Sequence, residues 1–211
     1  MNLLAVNSSG SKPLIQNGEV VQTGIMKTPQ DGSVFVAQLG LDGDVQVDTK
    51  NHGGVDQAVY LYSQKDYDWF ELELERPLSP GIFGENLTLN DFGSDTLYVG
   101  DRFQIGEVLL ELTAPRIPCA TFAARMDDPG FVKRFKEAER PGVYARVLQT
   151  GKLQAGDTAT YIRGEYDVSV LELFQLYYKK ASVDSDTAKR ILAAPVAKSV
   201  RKTYEAKTGV Q

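Results

Sequence analysis

The single cysteine of the chain, Cys119, lies in the stretch PRIPCATFAARMDD, which runs from Pro115 to Asp128. Pro118 directly precedes the cysteine and Pro115 lies three residues before Pro118, and both stiffen the backbone because the proline ring fixes φ. Arg116 adds a positive charge, and the residues after Cys119 favour a helix that would start beside the sulfur. A cation and a helix N-terminus both favour the thiolate, which is a nucleophile and a soft-metal ligand. A small, buried hydrophobic side chain is the alternative interpretation of this cysteine.

The single histidine, His52, lies in the segment KNHGGVDQAV at residues 50–59. Gly53 and Gly54 permit positive φ and a close approach of the backbone to a ligand, and free N–H groups in such a turn can bind an anion. The alternative is a tight turn with a solvated or backbone-bonded histidine. One histidine and one cysteine are too few nitrogen and sulfur ligands for the usual zinc site, and the sequence contains no HExxH or CxxC motif.

Two further segments combine glycine with polar side chains. FGENL at residues 83–87 places Glu85 and Asn86 at the entry to an apolar segment, and PGVYARVL at residues 141–148 carries Arg146. A turn capped by Asn86 and a β-edge with a surface arginine are the simpler interpretations of these two segments.

Composition and charge exclude several classes of function. The net charge of −5 argues against nucleic acid as the main partner. No apolar run approaches the roughly 18 residues of a membrane span, and no basic leader precedes an apolar segment. With one cysteine, the chain is expected in a reducing compartment, the cytoplasm. No Walker A loop or GxGxxG motif is present, and a Cys–His protease is disfavoured because no local protease signature accompanies the pair.

The elements that must position these residues change in character near residue 164. Before it, short apolar segments separated by turn residues predict strands and a mainly β barrel. The predicted strands are residues 3–7, 20–24, 34–39, 45–48, 58–62, 87–89, 102–105, 108–113 and 158–162. Peripheral helices are predicted after the cap Ser63 and at residues 120–126 and 129–138. We therefore expect a first domain over residues 1–163 and a second, helical one over residues 164–211.

The second domain is predicted to contain three helices. Ser169 and Glu172 fit a capping box for the first of them. The second is expected to start near Asp184 or Ser185, and Pro195 fits the first turn of the third. This segment is a candidate docking or homodimer surface, the alternative being an appendage that stabilises the first domain by packing.

Four motifs occur in an order that resembles the MOSC domain, the family named after the C-terminal domain of molybdenum cofactor sulfurases. They are HGGVDQAV, FGENL, PRIPC and GVYARVL, and a Gly-Asp step follows the last. The early TGIMKTP and the helical tail are similar to the YiiM-like bacterial branch. The resemblance covers nearly the whole chain and implies a strand-rich barrel with peripheral helices.

The resemblance also implies that the pterin molybdenum cofactor binds in a basic pocket and that Cys119 matches the molybdenum ligand. Cys119, His52 and Asp56 are the candidate catalytic residues, with His52, Asp56 and Glu85 as candidate proton donors. The candidate cofactor-binding residues are Lys12, Thr23, Lys27, Lys50, His52, Gly53, Gly54, Glu85, Asn86, Arg116 and Arg146. Asp56 has an alternative role, orienting His52.

YiiM-like relatives reduce N-hydroxylated bases and amines, so the implied reaction is the two-electron reduction of R–NHOH to R–NH2 and water. No cysteines remain for an iron–sulfur cluster, so a separate electron-donor reductase is the implied partner. The alternative function is a sulfur-carrier or cofactor-delivery protein that uses Cys119 for a persulfide or for transfer of the cofactor. A third hypothesis is a pterin-binding barrel without catalysis.

Overall fold

The computed structural model describes residues 1–47, 53–179 and 183–208. The strands are β1 (Leu3–Ser8), β2 (Lys12–Gln16), β3 (Glu19–Thr23), β4 (Thr28–Pro29), β5 (Val34–Ala37), β6 (Gly40–Leu41), β7 (Val59–Ser63), β8 (Leu87–Leu89), β9 (Arg102–Ile105), β10 (Val108–Ala114), β11 (Val143–Gln149), β12 (Gly151–Leu153) and β13 (Ala159–Ile162). The helices are α1 (Gln64–Leu74), α2 (Ala120–Met126), α3 (Phe131–Ala138), α4 (Val170–Tyr178), α5 (Ser185–Ala193) and α6 (Lys198–Thr208), and a 3-10 turn spans Val55–Gln57.

The main sheet has eight strands in the order β13-β9-β10-β11-β7-β8-β1-β4. All neighbours are antiparallel except β7 and β8, which are parallel because α1 carries the chain between them. Near opposite ends of this order, the start of β1 and the start of β13 meet through the isolated bridge Asn2–Thr158 and neighbouring main-chain hydrogen bonds, such as Leu3 N–H to the Asp157 carbonyl at 2.9 Å, without a continuous ladder in the described residues. The sheet is therefore not a closed barrel in the described part of the chain, unlike the expected barrel.

Sequence and structure differ at further places, including the strands β4, β6 and β12, which were not predicted. A strand was predicted at residues 45–48, but residues 45–47 form a loop and residue 48 lies outside the described residues. The Val45 N–H donates to the Ser9 carbonyl, which is a contact between loops and not part of a ladder. The hairpin of β2 and β3 uses a strand, β2, that was not predicted. The last helix begins at Lys198 rather than at Pro195, because the Pro195 carbonyl and the Ala197 N–H are bonded to other segments.

The caps predicted at Ser63 and Ser169 are confirmed, but the Glu172 carboxylate of the predicted capping box bonds to Arg190. Ser63 caps α1 through a hydrogen bond from the Asp66 N–H, and Ser169 caps α4 through one from the Glu172 N–H. The Asp184 carboxylate caps α5. Side chains of these types satisfy N–H groups that a helix start leaves unpaired.

An aromatic cluster connects the outer helices to the sheet. Phe70 on α1, Phe122 on α2 and Phe131 and Phe135 on α3 pack around Phe83, with ring centroids 5.1–6.4 Å from that of Phe83. All five rings are fully buried. Burying such rings stabilises the fold by roughly 1.5–3 kcal/mol each, and the cluster fixes α2 and the segment that enters it.

The C-terminal helices pack on the sheet through a smaller apolar cluster that includes Val99, Leu173 and Ile191. Main-chain hydrogen bonds also cross this boundary, from Val99 N–H to the Val168 carbonyl and from Ala197 N–H to the Thr113 carbonyl. No helix in the described ranges is long and apolar enough to span a bilayer.

Candidate functional site

Cys119 lies where the segment after β10 turns into α2. Its backbone is extended and it forms the N-cap of α2, with Phe122 anchored in the aromatic cluster one turn later. Cys119 is half-buried and lies in the wall of a cavity of about 310 Å³. The sequence thus holds this thiol in place from both sides, by prolines before it and a buried phenylalanine after it.

This first cavity lies between the β2–β3 hairpin, the loop at residues 44–47 and the start of α2. Its lining combines amides, hydroxyl groups, two cations, one carboxylate and the thiol with apolar side chains and glycines. The lining residues are Gln16, Val21, Gln22, Thr23, Gly24, Ile25, Lys27, Asp44, Val45, Gln46, Val47, Gly53, Gln57, Tyr60, Gly84, Asn86, Arg116, Cys119, Thr121 and Tyr144.

Arg116 is the unusual cation of this cavity. It is only 6% exposed, and its guanidinium carbon lies 4.3 Å from the Phe122 ring centroid and 5.1 Å from that of Tyr60. No carboxylate forms an ion pair with it within the described residues, and its buried Nε has no hydrogen-bond partner there. Because a buried guanidinium without a counter-charge costs free energy, such a group is suited to an anionic ligand.

Arg116 also acts on the thiol. Burial lowers the pKa of Arg116, whereas Tyr144, Tyr60, Cys119 and Glu85 raise it when ionised, and the net shift is upward. By reciprocity, the positive charge of Arg116 favours the thiolate form of Cys119. The site therefore places a buried arginine without a carboxylate partner in the described residues close to a thiol.

The second cation, Lys27, already has a partner. Its ammonium group forms an ion pair with Asp44, whose side chain also accepts hydrogen bonds from Ser9 N–H at 3.0 Å and Asn86 Nδ2 at 2.9 Å. Burial lowers the pKa of Lys27, and Asp44 raises it. Most of the Lys27 charge is therefore compensated, and Asn86 holds the carboxylate in place while its Oδ1 accepts from the Tyr60 N–H.

The structure brings some of the predicted site residues to this cavity and places others elsewhere. Those in its lining are Thr23, Lys27, Gly53, Asn86, Arg116 and Cys119. Those outside the lining are Lys12, Gly54, Asp56, Glu85 and Arg146. Lys50 and His52 lie outside the described residues.

Asp56 and Arg146 form a joint between the sheet and the C-terminal helices. Their side chains are 2.9 Å apart. Asp56 accepts a hydrogen bond from the Lys198 N–H at 2.8 Å, and Arg146 donates to the Pro195 carbonyl at 2.8 Å. Arg146 also lies 3.5 Å from Glu111. Their charges are thus used within the fold, which is why neither side chain faces the cavity.

Glu85 lies behind the cavity wall and is fully buried. Its Oε1 accepts hydrogen bonds from Tyr67 at 2.5 Å, from the Gly81 N–H at 2.6 Å and from Thr88 at 2.8 Å. Burial raises the pKa of Glu85, although these three donors lower it. The carboxyl group therefore braces the loop before β8 instead of facing a ligand.

Several lining residues were missed from the sequence. Gln57 and Tyr144 belong to the segments HGGVDQAV and GVYARVL. These segments were singled out from the sequence, but their charged residues, Asp56 and Arg146, were assigned to the site instead. Asp44 is the aspartate of a Gly-Asp step at residues 43–44. Gln16 and Gln46 have no local signal, because the β2–β3 hairpin and the loop at residues 44–47 are brought to the site only by the tertiary fold.

Comparison with known proteins agrees with this architecture. The MOSC domain profile matches residues 48–160. The protein YflK of Bacillus subtilis (strain 168) is 33% identical over 181 residues, covering 85% of this chain and 82% of YflK. A protein named Reductase from Gibberella moniliformis (strain M3125 / FGSC 7600) is 34% identical over 171 residues, covering 78% of this chain but only 30% of that protein.

The fold has a solved counterpart over almost its full length. The crystal structure of YiiM from Geobacillus stearothermophilus superposes with a TM-score of 0.79 at 26% identity, covering 98% of each chain. The profile match over more than half of the chain and the similarity to YflK lead to the same assignment. This chain belongs to the MOSC domain family.

Proposed function

We propose that this protein binds the molybdenum cofactor in the first cavity, with Cys119 as a metal ligand, and reduces the N–O bond of N-hydroxylated bases or amines. The observation that carries the proposal is the pairing, in one cavity, of a thiol with a buried arginine that lacks a counter-charge in the described residues. Membership of the MOSC family and similarity to a protein named Reductase support it.

The residues present fit a pterin cofactor that carries a phosphate. Arg116 offers charge-assisted donors with one orphaned nitrogen, which matches a phosphate or another anionic oxygen. The side-chain amides of Gln22, Gln46 and Gln57 supply both donors and acceptors to the cavity, as a polar bicyclic ring requires. The cavity would hold the organic part of the cofactor through these groups.

The metal ligation also fits. Among the described residues, no group of three or more histidine, cysteine, aspartate or glutamate side chains could hold a metal ion. A metal at Cys119 must then take most of its ligands from a cofactor, and a soft thiolate suits a molybdenum centre. This agrees with a cofactor that arrives with its metal already bound by the pterin part.

When bound, the cofactor supplies the two-electron chemistry of the reaction R–NHOH + 2 H⁺ + 2 e⁻ → R–NH2 + H2O. We propose that the electrons come from a separate reductase. The protein binds and orients the reactants. Burial raises the pKa of Tyr144, and Arg116 lowers it, with a net upward shift. The Tyr144 hydroxyl therefore stays protonated in the cavity and can donate a hydrogen bond to the N–OH group.

Turnover by the loaded protein tests this function. Protein purified from a host that makes the cofactor is assayed with an N-hydroxylated purine and dithionite-reduced methyl viologen, and the amine product is quantified by chromatography. We expect amine formation by the parent and a loss of at least about 100-fold in Cys119→Ala, as when a ligand to a reacting centre is removed. Molybdenum-loaded protein that forms no amine would contradict the proposal, and cyanide-labile sulfur on Cys119 would then favour the sulfur-carrier alternative.

A further inference from the structure

A second cavity, of about 630 Å³, is also lined by Cys119. It lies between the segment at residues 114–121 and the helices α4 and α6. The residues that line both cavities are Gln16, Gln57, Cys119, Thr121 and Tyr144. The two cavities therefore meet at these residues, and a molecule in the second one would lie beside the thiol that also lines the first.

The chemistry of the second cavity differs from that of the first. None of its described lining residues is charged. Leu173, Leu176 and Val200 supply apolar surface from the helices, and Ser199 and Thr203 supply hydroxyl groups. A volume of this size lies within the roughly 300–1,000 Å³ typical of small-molecule sites, whose walls are mainly apolar with a few polar groups.

We propose that the second cavity holds the organic substrate, and that it selects uncharged N-hydroxylated free bases or aromatic amines over their phosphorylated nucleotides. This inference rests on the proposed function of the first cavity. A planar neutral ring can bury its faces against the leucine and valine side chains. A phosphate would lose its hydration with no lysine or arginine in the described lining to replace it, and burying an unpaired anion is unfavourable.

Thr203 provides the test position because it lines this cavity but is exposed, so a larger side chain fits without disturbing the core. The neighbouring Lys202 is also exposed but does not line the cavity. Thr203→Trp should therefore partly fill the cavity mouth, and Lys202→Trp is the matched control on the same helix.

Two readouts separate this inference from the proposed function. In loaded protein, we expect Thr203→Trp to raise KM for an N-hydroxylated purine at least about tenfold with a smaller change in kcat, and Lys202→Trp to change neither by more than about twofold. In cofactor-free protein, titration with fluorescent 2-aminopurine should show binding in the parent and in Lys202→Trp, and binding at least about tenfold weaker in Thr203→Trp.

Binding of a phosphorylated ligand tests directly whether the lack of a cation in the second cavity determines its selectivity. The 5′-monophosphate of 2-aminopurine riboside should bind the parent at least about tenfold more weakly than the free base, and Thr203→Lys should recover about fivefold by supplying a cation. Equal binding of base and nucleotide, no binding of base by the parent, or equal effects of the two tryptophan variants would overturn the proposal. If the parent binds the base selectively but lacks reductase activity, the cavity assignment stands and the proposed function fails.

Discussion

Arg116 and Arg146 come from two motifs of the same family, yet their surroundings differ. Arg146 contacts two carboxylates, Asp56 and Glu111, and two carbonyls of the segment before α6. Arg116 is more deeply buried, packs on two aromatic rings and has no carboxylate partner in the described residues. Arg146 therefore joins parts of the fold, whereas the charge of Arg116 remains available for a ligand.

This difference shows that a motif arginine is a binding residue only if the fold leaves its charge uncompensated. The partners of Arg146 lie on β10, on the 3-10 turn and before α6, which are distant in sequence. A buried charge without a partner costs free energy. We infer that Arg116 keeps such a charge because a ligand supplies the opposite one.

The largest expected effect is at Arg116. Arg116→Met keeps a side chain of similar length on the rings of Phe122 and Tyr60 but removes the charge. We expect cofactor content to fall at least about tenfold, the equivalent of one charge-assisted contact of roughly 1.4 kcal/mol or more. The free energy of unfolding of the cofactor-free protein should stay within about 1 kcal/mol of the parent, because removal of the orphaned donor offsets the lost ring contacts.

Metal analysis and urea unfolding measure these two quantities separately. Retention of the full molybdenum content by Arg116→Met would show that the buried charge does not bind the cofactor, and the comparison with Arg146 would lose its meaning.

Arg146→Met should have the converse effect. Removing the guanidinium leaves Asp56 and Glu111 partly buried with fewer partners, which should lower the free energy of unfolding by about 2 kcal/mol. The molybdenum content of the remaining folded protein should stay within about twofold of the parent. A selective loss of cofactor from a variant with unchanged stability would place Arg146 in the binding site after all.

The protonation state of Glu85 decides whether this buried acid can balance the charge of Arg116. Burial raises the pKa of Glu85, so the folded protein holds this proton more tightly than the unfolded chain does. The stability from the protonated form is present at low pH and is lost as pH rises through the folded-state pKa. Glu85→Gln resembles the protonated form, so its stability relative to the parent should increase between pH 4 and pH 7.5.

Urea unfolding of the parent and Glu85→Gln at several pH values measures this trend. A relative stability that decreases over the same interval would mean that Glu85 is favoured as the carboxylate, and it would then be a counter-charge for Arg116.

Lys12 should show the smallest effect. It is exposed on β2 and does not line the first cavity. Exposed cations interact weakly because water and salt screen them, so Lys12→Ala should change molybdenum content by less than about twofold. A loss comparable to that of Arg116→Met, in parallel metal analyses, would place the phosphate outside the cavity.

The sequence predicted local features better than the partners of charged residues. The strands β8 and β9, the helix α2, the caps Ser63 and Ser169 and the start of α5 depend on neighbouring residues and were predicted closely. The start of α6 was predicted too early, because Pro195 and Val196 are held by Arg146 from a distant strand.

The candidate site follows the same rule. The segment around Cys119 could be singled out from its prolines and arginine, since these are adjacent in sequence. The roles of Glu85 and Asp56 could not be separated from ligand binding, because Tyr67, Thr88 and Lys198 reach them only in the folded protein. The contribution of the β2–β3 hairpin was missed because one of its strands, β2, was not predicted.

The central claim is that Cys119 holds molybdenum in the first cavity, and metal analysis of Cys119→Ala tests it most directly. Parent and variant are purified from a host that makes the cofactor, and circular dichroism establishes that both are folded. The account predicts about one molybdenum atom per parent chain and a loss of most of it in the variant, because removal of a ligand weakens metal binding. Equal molybdenum in the two proteins, or none in the parent from such a host, would contradict it.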